Sequence, residues 1–163
     1  MLDDRRVFLV PPCDSDEDGE LSVLGVRQSR ALGNALGDAP LMAIYSGPGL
    51  AAGDTAAAVA QRHGLVVRRK PGLELRPGEV FRSAIERIIE VFDTISRAGP
   101  GRTSLIVAEL SALQAILAYC WGVSSSPDER LRLNPGSITE VTVAPTGFSV
   151  DRLGDIAHLP KIS

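Results

Sequence analysis

The run Val7-Phe8-Leu9-Val10 ends against Pro11-Pro12, and that junction constrains the chain more than any other stretch. Four bulky apolar residues in a row read as a buried strand. Neither proline can donate to a sheet ladder, and each restricts the residue before it, so the strand stops there. A polar loop follows. Ser22 then stands where a helix N-cap belongs, ahead of a helical pattern that ends near Leu36. Strand, loop and helix in this order form the unit that holds a site at the carboxyl end of a strand in open α/β folds.

The rest of the chain repeats the alternation. Further strands are expected at 41–45, 65–68 and 104–107, with a closing hairpin of 137–143 and 148–151 around the turn at 144–147. Helices are expected at 50–62, 81–97 and 111–121. The clearest is 81–97, where Phe81, Ile85, Ile88, Ile89, Phe92 and Ile95 follow the i, i+3, i+4 rule. In the first helix the apolar stripe is Leu24, Ala31, Leu32, Ala35 and Leu36, with Arg27, Gln28 and Arg30 off it. Ser124-Ser125-Ser126-Pro127 reads as a polar linker. Strands alternating with helices predict an α/β fold, a three-layer α/β/α sandwich over a mostly parallel central sheet, with 1–163 as a single domain.

Composition excludes several function classes. The 163 residues are 44% hydrophobic, enough for a substantial core, and the net charge of −3 is spread along the chain. No basic tract argues for nucleic acid, and no apolar run approaches the ~20 residues needed to cross a bilayer. The N-terminus lacks the pattern of a signal peptide, so a cytoplasmic protein is expected. Cys13 and Cys120 have no metal-type spacing; neither a metal nor a cofactor is expected.

The order of elements and several local strings resemble the histidine phosphatase superfamily, in its phosphoglycerate mutase-like branch. The strings are Val7-Phe8-Leu9-Val10; Gly19-Glu20-Leu21-Ser22 with Leu24-Gly25 and Gln28; and Ile44-Tyr45-Ser46-Gly47-Pro48. Thr55-Ala56-Ala57-Ala58-Val59-Ala60, Gly72-Leu73-Glu74-Leu75, Leu133-Asn134-Pro135-Gly136-Ser137-Ile138-Thr139 and His158-Leu159 continue the series. The ordered set carries the resemblance, which runs over most of the chain.

The resemblance implies a chemistry that this chain departs from. Members carry Arg-His-Gly directly after the first strand, the His taking up the phosphoryl group. Here Pro11-Pro12-Cys13 stands there, and the nucleophile position falls on Pro12. A second family arginine aligns with Ala51 and a second histidine with Glu109. The acid that protonates the leaving group aligns with Glu74 or Glu79. Phosphoryl transfer depends on positioned positive charge around the transferred group. Each charge-assisted hydrogen bond contributes roughly 1.5–3 kcal/mol, so losing two arginines and two histidines removes most affinity for a phosphate dianion. Proline has no side-chain nitrogen with which to form a phosphoenzyme.

Other candidate sites have plainer readings. Asp14-Ser15-Asp16-Glu17-Asp18-Gly19 matches the first half of a calcium loop, but the bidentate acid of the twelfth position falls on Gly25. Arg62-His63-Gly64 spells the family's tripeptide at the end of a helix, where cations and a terminal glycine are favoured on local grounds. Cys13 lies beside the former nucleophile position, yet an acidic neighbour such as Asp14 raises a thiol pKa. His158 has no second metal-type residue at useful spacing.

These readings converge on a catalytically inactive member of the fold, acting as a binding or regulatory module toward an unidentified small molecule or protein partner. One alternative is an enzyme with altered chemistry, using acidic residues or Cys13 on a non-phosphorylated small molecule; another is a weak phosphatase. The expected pocket residues are Cys13, Asp14, Ser22, Ser46, Glu79, Glu109 and Leu110, around the degenerate positions Pro11, Pro12, Ala51 and Glu109. No nucleic acid or membrane partner is expected. Dimers are frequent in folds of this kind, and a homodimer is one assembly the sequence leaves open.

Overall fold

The computed structural model describes residues 4–99, 102–123 and 131–161. The stretch expected to be a polar linker, 124–127, lies outside them. In chain order the elements are β1 (Arg5–Val10), α1 (Val23–Ala35), β2 (Ala43–Ser46), α2 (Leu50–His63) and β3 (Val67–Arg69). Then come α3 (Phe81–Ala98), β4 (Thr103–Val107), α4 (Leu110–Cys120), β5 (Ile138–Ala144) and β6 (Gly147–Asp155).

The six strands form one sheet in the order β3-β2-β4-β1-β5-β6. Pairing is parallel from β3 through β1 and antiparallel for β1 with β5 and β5 with β6. Alternation along β1 sorts its side chains to two cores. Val7 and Leu9 join Ile85, Ile88, Phe92, Leu113, Ile116 and Leu117 of α3 and α4. Phe8 and Val10 join Leu32, Leu36, Ala52, Ala56 and Val59, from α1, its C-cap and α2. The sheet is thus covered on both faces, a three-layer α/β/α sandwich as expected. β1 and β4 read as continuous apolar runs because both sides of each are buried.

Some boundaries and faces differ from expectation. β6 extends to Asp155, four residues further than its apolar pattern, because backbone pairing with β5 continues through a register shift near Glu140. β3 starts at Val67, two residues late, and only three residues pair at this sheet edge. Phe81, assigned to the apolar stripe, is 50% exposed at the first turn of α3. On α1, Ala35 is exposed, whereas Gln28 is buried beneath the loop that follows β1. No helix among the described residues is long and apolar enough to cross a membrane.

Candidate functional site

Because β1, β2 and β4 run parallel, their carboxyl ends share one edge, and a cleft of about 280 Å³ opens there. Its wall combines Pro12 after β1, Pro48 and Ala51 around the start of α2, Glu74 from the β3–α3 loop and Glu109 after β4. Four positions separated by up to 97 residues in sequence, Pro12, Ala51, Glu74 and Glu109, therefore meet in space. No cationic side chain lines the cleft among the described residues. The N-terminal ends of α2 and α4 both border it, their N-caps being Gly49 and Glu109, and neither has a side-chain cap hydrogen bond for its first turn.

The loop after β1 is firmly held. The Val10 carbonyl accepts the Ala108 N–H at 3.2 Å, and the buried Pro11 accepts the Gly136 N–H at 3.1 Å. The Cys13 N–H donates to Thr55 Oγ1 at 3.0 Å, and the Asp14 N–H to Gln28 Oε1 at 2.8 Å. Each backbone donor finds a partner, as buried chain requires. The loop is thereby tied to β4, α1, α2 and the turn before β5.

Glu109 is committed to structure. Its Oε1 accepts the Leu75 N–H at 2.6 Å and the Ser111 hydroxyl at 3.1 Å. Glu74 reaches Arg76 in an ion pair of 3.3 Å at the surface. Glu79 does not line the cleft: it is clamped by Arg87 of α3, whose Nη2 lies 3.1 Å from Glu79 Oε2 and 2.5 Å from the Glu74 carbonyl. Arg87 also donates from Nε to the Gly72 carbonyl at 3.1 Å, so one side chain gathers the whole β3–α3 loop. Sequence reading missed this clamp, since an arginine on the charged side of α3 carries no signal of its target.

The remaining expected pocket residues disperse. Cys13 is buried away from the cleft, with its thiol pushed up to about 11 chiefly by burial, then by Asp14, and only partly offset by the Thr55 hydrogen bond. That thiol is protonated near neutrality and is not an activated nucleophile. Ser22 caps α1: its Oγ accepts the Gly25 N–H at 3.0 Å and donates to Asp14 Oδ2 at 2.5 Å. Ser46 is fully buried and does not line the cleft; its hydroxyl has no partner among the described residues. Leu110 does not line the cleft but an adjoining depression that shares Glu109 with it and adds Ser111, Gln114 and Arg132. Asp14 lines a different cavity, on the far side of its own loop.

The two other motifs resolve locally. In the acidic loop Asp16 Oδ1 accepts the N–H groups of Asp18 and Glu20, closing a tight turn at Gly19, whose φ is +82°. No group of three or more metal-type side chains gathers among the described residues. His63 ends α2 and reaches the Leu36 carbonyl at 2.9 Å, with left-handed Gly64 terminating the helix. His158 likewise sits 2.9 Å from the Gly136 carbonyl.

Comparison with known proteins agrees with this geometry. YhfR of Bacillus stearothermophilus superposes with a TM-score of 0.83 at 18% identity, over 95% of this chain and 99% of that one. The α-ribazole phosphatase of Shigella flexneri gives 0.80 at 16% identity, over 97% and 99%. A mycobacterial glucosyl-3-phosphoglycerate phosphatase in complex with VO3 gives 0.79 at 20% identity, over 93% and 99%. At these identities the likeness is one of fold. No curated protein matches the sequence. The family described as histidine phosphatase superfamily (branch 1) matches residues 13–76 and 68–156, which together span most of the chain. By that match, this chain belongs to the histidine phosphatase superfamily, branch 1.

Proposed function

We propose that the chain is a non-catalytic member of the superfamily that serves as a binding or regulatory module. The observation that carries this reading is the cleft itself: Pro12, Ala51 and Glu109 face it, and no cationic side chain does among the described residues. A phosphoryl group in flight needs several positioned donors and a nucleophile. Each helix N-terminus at the cleft supplies only about half a unit of positive charge, and the side chains of Glu74 and Glu109 line the same cleft. An altered-chemistry enzyme using Cys13 is less well supported, because that thiol is buried and raised to about 11.

Phosphate release from p-nitrophenyl phosphate, together with the melting temperature in millimolar orthovanadate, tests the proposal. Release indistinguishable from a protein-free blank and an unmoved melting temperature are expected. Turnover that disappears in Glu109→Ala or Glu79→Ala protein would overturn it, as would a saturable stabilisation by vanadate.

A further inference from the structure

The chain carries net negative charge, yet no carboxylate lies between Asp54 and Glu74, a span that holds Arg62, Arg68, Arg69 and Lys70. Three of these cations are consecutive and fall on β3 and the residue after it, at the parallel edge of the sheet. None of the three forms an ion pair among the described residues. Arg69 donates to the Pro48 carbonyl at 3.1 Å, and the Lys70 ammonium stands 5.7 Å from the centre of the Tyr45 ring. The opposite edge, β6, mixes both signs in Asp151, Arg152 and Asp155.

One side of the β3 backbone is free. The Lys70 N–H donates to the Ser46 carbonyl at 2.8 Å, so Lys70 and, two residues back, Arg68 turn their backbone groups toward β2. Val67 and Arg69 turn theirs outward, and these meet no backbone partner among the described residues. Side chains sort in the same way. Arg68 pairs with Tyr45, which belongs to the core under α3 and α4, so Arg68 and Lys70 stand on that side. There a groove of about 330 Å³ opens, lined by Lys70 and by Arg87, Val91, Thr94 and Ile95 of α3, with Glu90 its only described carboxylate. Arg69 stands on the other side, against Gly53 of α2.

Unpaired strand groups are a template for another strand, and cations on an edge guard it against a second copy. Pairing β3 with itself across a two-fold axis would set Arg68, Arg69 and Lys70 against their own duplicates, which disfavours a homodimer at this edge. The same charges favour an occupant of opposite sign. Strand addition, with alternate side chains entering a groove, is a recurring mode of peptide recognition. We propose that β3 receives an extended acidic segment of a partner protein, paired to the outward backbone groups of Val67 and Arg69, with carboxylates beside Arg68, Arg69 and Lys70 and an apolar side chain in the groove at Val91 and Ile95. The interface stands on its own residues and does not depend on whether the cleft is catalytic.

The test is fluorescence anisotropy of a fluorescein-labelled octapeptide of alternating glutamate and valine, titrated with the full chain. Saturable binding that weakens with added salt is expected, and none for the lysine–valine counterpart. The glutamate–valine peptide N-methylated throughout keeps its charges but cannot donate to the ladder, and should bind weaker by about tenfold or more. Arg68→Glu on the exposed edge and Thr94→Trp at an exposed position of the groove should each weaken binding by about tenfold or more. Anisotropy that never saturates would mean that the cations only guard the edge, and overturns the proposal. Equal binding of the N-methylated peptide overturns strand addition and leaves a patch for any polyanion. Binding unchanged in both variants overturns the location, and loss with Arg68→Glu alone overturns the use of the groove. Melting temperatures establish that each variant folds; if one does not, the other decides the location.

Discussion

The Glu109 carboxylate accepts the Leu75 backbone N–H at 2.6 Å, tying the end of β4 to the loop between β3 and α3. Glu109 thus joins two segments that are far apart in sequence. Arg87 holds the same loop from α3, through the Gly72 and Glu74 carbonyls and the Glu79 carboxylate. The two anchors hold one segment between them.

Removing the first anchor should loosen that segment before it affects the rest. Glu109→Ala leaves the Leu75 N–H without its acceptor and is expected to cost about 1–3 kcal/mol in urea unfolding. Glu109→Gln retains a side-chain oxygen and should cost less than about 1 kcal/mol. Hydrogen exchange at the Leu75 amide separates local from global loss: protection should fall in Glu109→Ala and persist in Glu109→Gln. Equal protection in both proteins would show that the tie is idle.

Gly25 is required by a close approach. A Cβ built there would lie 1.9 Å from the Asp14 carbonyl oxygen, because the first turn of α1 rests directly on the loop after β1. That oxygen also accepts the Ser22 N–H at 3.0 Å, so it cannot yield without breaking the helix start. Gly25→Ala is expected to destabilise by more than about 3 kcal/mol, as overpacking against fixed backbone does. Gly49, the N-cap of α2, has nothing within 4 Å of its built Cβ, and Gly49→Ala should stay within about 1 kcal/mol. Comparable melting temperatures for the two variants would contradict this account.

The contrast between these glycines shows what a sequence can and cannot reveal. The strand at Val7–Val10 was legible because uninterrupted bulky residues have few other uses, and the Pro11-Pro12 stop followed from missing donors. The meeting of Pro12, Ala51, Glu74 and Glu109 was legible only through resemblance, since nothing local says that β4 pairs between β2 and β1. Gln28 was misplaced for a physical reason. Helical periodicity puts a polar side chain toward water by default, but here the loop after β1 folds back over α1 and supplies a backbone donor to it. Phe81 fails in the other direction: it fits the stripe by spacing, yet it is half exposed in the first turn of α3, where burial begins only at Ala84. Contacts between a helix face and an irregular loop carry no period, and both errors arise there.

Burial of the two thiols gives the fold a weakness in alkali. Cys13 is raised to about 11, mainly by burial, and Cys120 to about 12 by burial and then by the nearby Asp93 carboxylate. Unfolded, both titrate near their ordinary value of 9.0. Between that pH and 11 the unfolded chain has released protons that the native chain retains. Stability therefore falls as pH rises, by up to about 1.4 kcal/mol per pH unit for each thiol, and these groups contribute no slope well below pH 9. Tyr119, raised by burial and by its hydrogen bond to Asp93, acts in the same direction. Urea midpoints at pH 7.5, 9.5 and 10.5 should drop steeply for the native sequence and less steeply for Cys13→Ala/Cys120→Ala, whatever the double substitution costs at neutral pH. Parallel pH profiles for the two proteins would mean that neither thiol is held protonated by the fold.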